Sequence, residues 1–96
     1  MYATLVMFNI GPGMQEQATG MADQFAQLHA TLKGFKSSTF FSDEAKGDYG
    51  AFSLWETNED AEAALGTAGP KLQEALKDIV QEPPTVRIFE VYLPNM

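Results

Sequence analysis

The chain has 96 residues with no cysteine, one histidine, and 13 acidic against 6 basic side chains. This length suits a single domain over residues 1–96, and the lack of cysteine excludes disulfides, thiolate metal sites and cysteine nucleophiles. One histidine cannot supply a zinc site built from several imidazoles, so we expect no metal. The net charge of −7 argues against a nucleic-acid surface, since phosphate binding depends on clustered Lys and Arg.

No stretch of the chain approaches the roughly 20 consecutive apolar residues of a membrane span. The N-terminal sequence also lacks the basic region, apolar run and small-residue cleavage site of a signal peptide. We therefore expect a cytoplasmic protein without a membrane partner.

The first third of the chain predicts a strand followed by a helix. Residues 2–10 form a short apolar run rich in β-branched and aromatic residues, which is typical of a strand buried on both faces. Residues 14–32 carry apolar side chains at alternating spacings of four and three, which places them on one stripe of an amphipathic helix. Gly34 then supplies the helix stop.

The middle of the chain predicts two strands joined by a hairpin. Residues 35–42 form the second strand, a polar connection follows over 42–48, and residues 49–56 form the third strand. Neighbouring strands joined by so short a connection are antiparallel.

The last third predicts a second helix and a fourth strand. Thr57 or Asn58 can cap the helix, and the acids that follow favour the positive end of its dipole. Apolar residues keep helical spacing as far as Ile79, with a break or kink expected at Gly69-Pro70 because proline removes a backbone donor. Residues 85–93 form the last strand.

The element order β-α-β-β-α-β suits an α+β ferredoxin-like fold, with a four-stranded antiparallel sheet and both helices on one face. The strands, however, are apolar on both faces, so the side of the sheet away from the helices would be an exposed hydrophobic patch. A chain this short also has a thin core. We therefore expect a homodimer that packs through the sheet face; a monomer with an uncovered sheet is the alternative.

Three short segments carry a family resemblance: the Phe8-Asn9 end of the first strand, the junction at residues 32–35, and residues 53–61, SLWETNEDA. In element order and in these segments, nearly the whole chain resembles the antibiotic biosynthesis monooxygenase domain of the dimeric α+β barrel superfamily. The resemblance implies a dimeric α/β barrel with a ligand cavity between each sheet and its helices.

Members of that family include enzymes that oxidise aromatic polyketides without metal or organic cofactor, enzymes that degrade heme, and proteins without known activity. The heme-degrading members use a histidine on the second helix as iron ligand, and residues 58–80 contain none. The resemblance therefore favours a cofactor-independent monooxygenase-like protein acting on a small apolar or aromatic molecule. The alternative is a non-catalytic dimeric domain that binds a small molecule or only assembles.

His29 is the main catalytic candidate. At roughly 100° per residue it lies about 40° from Phe25, inside the apolar stripe of the first helix. A histidine there could act as a general base or orient a ligand, because its pKa lies near neutrality. It could equally be a partly buried histidine that only bonds a neighbour.

Asn9, at the end of the first strand, is the second catalytic candidate. Its amide could donate to a substrate carbonyl or oxyanion, and the resemblance places an active-site asparagine at this position. It could instead satisfy backbone groups of the turn at Gly11-Pro12-Gly13.

The remaining candidates would bind substrate. Trp55 matches the family's third-strand tryptophan, and as a large apolar residue it suits either a core or a cavity wall. Arg87, the only arginine, could bind a carboxylate or enolate, or could pair with Glu90, Glu56 or another acid across the sheet or the dimer. Further candidate cavity residues are Met21, Phe25 and Tyr49.

Overall fold

The computed structural model describes residues 1–94, so the last two residues of the expected 1–96 domain lie outside the described part. Its elements follow the predicted β-α-β-β-α-β order. They are β1 (Tyr2–Asn9), α1 (Gln15–Ala30), β2 (Phe35–Asp43), β3 (Asp48–Trp55), α2 (Asn58–Leu76) and β4 (Thr85–Glu90).

The four strands form one antiparallel sheet in the order β2-β3-β1-β4. Residue alternation gives the sheet two distinct sides. Thr4, Val6 and Phe8 face a cavity that residues of α1 and α2 close, so both helices lie on that side. The expected ferredoxin-like α+β fold is confirmed. The fourth strand ends at Glu90, three residues before the expected Leu93.

Of the break or kink expected at Gly69-Pro70, the break is wrong, because α2 runs through both residues. A residue before proline normally avoids helical geometry because its Cβ meets the proline ring, and Gly69 has no Cβ. The carbonyl of Gly66, which Pro70 cannot bond, belongs to an exposed residue and can be solvated. Packing of the buried Ala64 and Leu76 on either side of the proline holds the helix to the sheet.

The α1–β2 connection depends on Gly34. Its φ is +80°, and a Cβ at this position would overlap the Asp60 side chain at the start of α2. The Gly34 carbonyl also accepts a hydrogen bond of 2.8 Å from the Glu56 backbone N–H. The turn therefore joins α1, β3 and α2, and only glycine fits it.

We predict that Gly34→Ala lowers the free energy of unfolding by about 2–4 kcal/mol, from left-handed backbone strain plus steric overlap. Gly13→Ala is the matched control, since Gly13 has a φ of +82° with open space around its Cα. Gly13→Ala should lower the free energy of unfolding by only about 1 kcal/mol, because it adds backbone strain without steric overlap. Urea unfolding of both variants measures the difference, and equal losses would contradict a steric role for Asp60.

Candidate functional site

A cavity of about 390 Å³ lies between the helix-facing side of the sheet and the two helices. Its size is within the roughly 300–1,000 Å³ range of small-molecule sites. Small residues on α2 make the room, because Ala64, Ala68 and Gly69 stand where longer side chains would reach the sheet. The larger apolar lining residues are Val6, Phe8, Met21, Phe25, Phe40, Leu65, Leu72 and Val86.

His29 lies in the wall of this cavity, half-buried. Its ring meets Trp55 edge-on, with centroids 5.6 Å apart, and lies 6.4 Å from the rings of Phe25 and Phe35. Burial among these rings lowers the pKa of His29 below its usual 6.5, because an imidazolium is poorly solvated there. His29 is therefore mainly neutral at pH 7.

A row of hydroxyl groups lies beside His29 on the sheet. Thr4 on β1 pairs with Ser53 on β3, which pairs with Ser38 on β2. His29 Nδ1 lies 3.3 Å from Ser38 Oγ, and Ser38 Oγ lies 2.9 Å from Ser53 Oγ. Thr4 and Ser53 of this row line the mainly apolar cavity, whose polar lining residues also include Gln15, Thr19 and Asp23.

Sequence reasoning missed Thr4, Ser38 and Ser53 as site residues. The alternation of side chains along a strand shows which residues of that strand share a face. It does not show which residues of the neighbouring strands lie opposite them, and this pairing register aligns Thr4, Ser53 and Ser38.

Trp55 contributes its ring but not its N–H group to the cavity. The side chain is fully buried, and its Nε1 donates a 3.1 Å hydrogen bond to Thr4 Oγ1. This bond satisfies the indole, so the N–H is not free to stabilise an anionic ligand. The core and cavity interpretations of Trp55 therefore coincide.

Met21, Phe25 and Tyr49 also line the cavity, and their binding of a substrate stays a prediction. Tyr49 is 5% exposed, and its hydroxyl has no hydrogen-bond partner within residues 1–94. Burial, and secondly the negative charge of Glu44, raise the pKa of Tyr49 above its usual 10, so the phenol is neutral.

Asn9 lies outside the cavity. Its Nδ2 donates to the Lys46 carbonyl at 2.8 Å and to Asp48 Oδ1 at 2.9 Å, and its Oδ1 accepts from the Gly11 N–H at 3.0 Å. Alternation along β1 directs this side chain to the sheet side away from the helices. The structure therefore does not bring Asn9 and His29 together, and Asn9 instead ties the strand end to the β2–β3 hairpin.

Arg87 also lies away from the cavity, on the side of the sheet opposite the helices. Its Cζ is 4.5 Å from the centroid of the Phe89 ring. Neither expected acidic partner is used: Glu56 pairs with Lys36, and Glu90 lies on the other face because β4 alternates. The structure gives Arg87 a cation–π contact in place of an ion pair within the described residues.

Residues 1–94 contain no cluster of three or more His, Cys, Asp or Glu side chains that could hold a metal ion. Neither of the helices described there is long and apolar enough to cross a membrane.

We predict that the free energy of unfolding falls as the pH drops below about 6.5. In that window an unfolded histidine binds a proton that buried His29 resists, so protonation favours the unfolded chain; the effect levels off below the folded-state pKa. His29→Phe should lack this part of the pH dependence. Because His29 is the only histidine, the difference between the two urea-unfolding profiles isolates its contribution. Parallel profiles would contradict the lowered pKa.

Searches for related sequences found neither a matching protein-family model nor a matching curated protein. Solved structures with the same fold are numerous. One, described as a candidate antibiotic biosynthesis monooxygenase from Nitrosomonas europaea, has a TM-score of 0.79 at 18% identity, over 99% of this chain and 93% of that chain.

Two Streptomyces proteins share the fold at similar distances. SnoaB, a cofactor-independent oxygenase from Streptomyces nogalater, has a TM-score of 0.75 at 19% identity, over 97% of this chain and 94% of its own. The ActVA-Orf6 monooxygenase from Streptomyces coelicolor, solved with the ligand Nanaomycin D, has a TM-score of 0.73 at 21% identity, over 98% of this chain and 92% of its own. The resemblance to antibiotic biosynthesis monooxygenases is thus confirmed in the fold.

Proposed function

We propose that this protein is a cofactor-independent monooxygenase that oxidises a small aromatic molecule in the cavity between its sheet and helices. The observation that carries the proposal is His29, a neutral imidazole in the wall of an apolar cavity of about 390 Å³. SnoaB and ActVA-Orf6, whose folds this chain shares, support the reaction class.

The proposed chemistry uses the substrate as its own reductant. A CH₂ group next to an aromatic ketone loses a proton to water to give an enolate, whose carbon then reacts with O₂. Breakdown of the peroxide gives a second carbonyl and one water, which balances the atoms. The protein contributes a mainly apolar cavity and polar groups at His29 that stabilise the anion. Asn9 and the Trp55 N–H have no part in this scheme, since both are engaged elsewhere.

We predict that wild-type protein consumes oxygen with anthrone, and that His29→Phe lowers the rate about a hundredfold or more. The phenyl ring keeps the packing against Trp55 and removes both ring nitrogens. Gln27→Ala, on the exposed side of the same helix, is the control and should leave the rate unchanged. An unaltered rate in His29→Phe would remove His29 from the reaction.

Filling the cavity distinguishes catalysis from simple binding. Ala68→Leu adds bulk to the cavity wall, whereas Ala63→Leu adds the same bulk on the exposed side of α2. Loss of anthrone oxidation only in Ala68→Leu supports a reaction inside the cavity. Anthrone binding without oxygen consumption, again lost only in Ala68→Leu, would instead support the non-catalytic binding domain.

We further propose that two copies pack through the side of the sheet away from the helices, here called the open face. Leu5, Leu54 and Arg87 lie there, together with four large apolar side chains that are each 36–41% exposed: Met7, Phe41, Phe52 and Phe89. Such a patch is costly to leave in water. A second copy offers the same apolar surface and so matches it by two-fold symmetry.

We predict that the protein at micromolar concentration has twice the 10.5 kDa mass of one chain, which light scattering can measure. Phe52→Glu should give the monomer mass, because it places a charge at the centre of the open face. Ala63→Glu, on the exposed side of α2, should not change the mass. A wild-type particle of single-chain mass would end the proposal.

A further inference from the structure

The hydroxyl groups beside His29 form a chain with a definite direction. Ser53 Oγ, Ser38 Oγ and His29 Nδ1 follow one another at 2.9 Å and 3.3 Å. Each serine hydroxyl has one proton to donate, and neutral imidazole has one N–H and one acceptor nitrogen. Protons can therefore point along the chain toward His29, away from it toward Ser53, or from both ends toward Ser38 Oγ, which can accept two hydrogen bonds.

The serine protons distinguish these arrangements. If His29 donated from Nδ1, either Ser38 would donate to Ser53, or Ser38 Oγ would accept from both neighbours. In the first case the proton of Ser53, which is only 1% exposed, has no acceptor within residues 1–94, and in the second case the Ser38 proton has none. If instead Ser53 donates to Ser38 and Ser38 donates to Nδ1, both hydroxyl protons are bonded, as folded proteins favour. The N–H then left without a partner in the described chain is Nε2–H, on a ring that lines the cavity.

We infer that Ser53 and Ser38 are positioning residues that hold neutral His29 as the Nε2–H tautomer, so that His29 is a hydrogen-bond donor and not a base. Nε2 has no partner within the described chain, while the ring lines the cavity. An Nε2–H donor favours a ligand with a hydrogen-bond acceptor next to it, such as a carbonyl, enolate or phenolate oxygen.

The catalytic role of this Nε2–H group rests on the proposed function. An N–H group at this position would stabilise the enolate oxygen, and the substrate proton would pass to solvent. The tautomer itself is a property of the free protein. The tautomer can therefore be tested even if the protein consumes no oxygen with any substrate.

Long-range ¹H–¹⁵N NMR of uniformly labelled protein at neutral pH tests the tautomer without assignment, because the chain has one histidine. We expect only the Nε2–H pattern in the wild type and a mixture of tautomers in Ser38→Ala. Ser37→Ala is the matched control, since Ser37 is exposed and lies on the open face. An Nδ1–H pattern or a mixture in the wild type would overturn the inference, as would an unchanged Nε2–H pattern in Ser38→Ala.

A pair of probes tests the donor role directly. Fluorenone and fluorene have the same ring system, and only fluorenone has a carbonyl oxygen. We expect the Nε2–H proton to move downfield with fluorenone and not with fluorene, and the response to weaken in Ser38→Ala. No movement with fluorenone, or equal movement with both probes, would overturn the donor role.

Discussion

The antiparallel register between β1 and β3 is the constraint on which the rest of the site depends. It sets Tyr2 opposite Trp55 and Thr4 opposite Ser53. The indole N–H can then reach a hydroxyl on the neighbouring strand, so a large ring is buried with its only donor satisfied. A slip of one residue would exchange the two faces of β1 and direct the Thr4 hydroxyl away from the helices.

The cavity and the thin core have the same cause. α2 meets the sheet through small residues, chiefly Ala61, Ala64 and Ala68, which are buried but fill little volume. The space they leave is large enough for a ligand. It also limits how much apolar surface one chain buries by itself. Large apolar side chains on the open face are the counterpart, and the proposed second copy would supply the missing burial.

Two site candidates show where pattern alone ends, because the sequence left a structural role open for each. Asn9 and Arg87 are polar residues in apolar strands, which is a recognised sign of function. Both lie on odd-numbered strand positions that face away from the helices. Alternation shows that each strand has two faces, but it does not say which face the helices cover when both are apolar. For His29 the amphipathic stripe of α1 gave that direction, because the other side of the helix is polar.

The sequence by itself determined the element order, the fold class and the inward position of His29, because periodicity and turn residues act locally. It could not predict the continuity of α2 through Pro70, where packing on both sides of the proline outweighs a local preference. Tertiary structure alone decided which polar groups lie beside His29. Ser38 and Ser53 are 15 residues apart in the chain, and only the β2–β3 register brings their hydroxyls within 2.9 Å. Hydrogen bonds between distant residues depend on such pairing, which a local pattern does not encode.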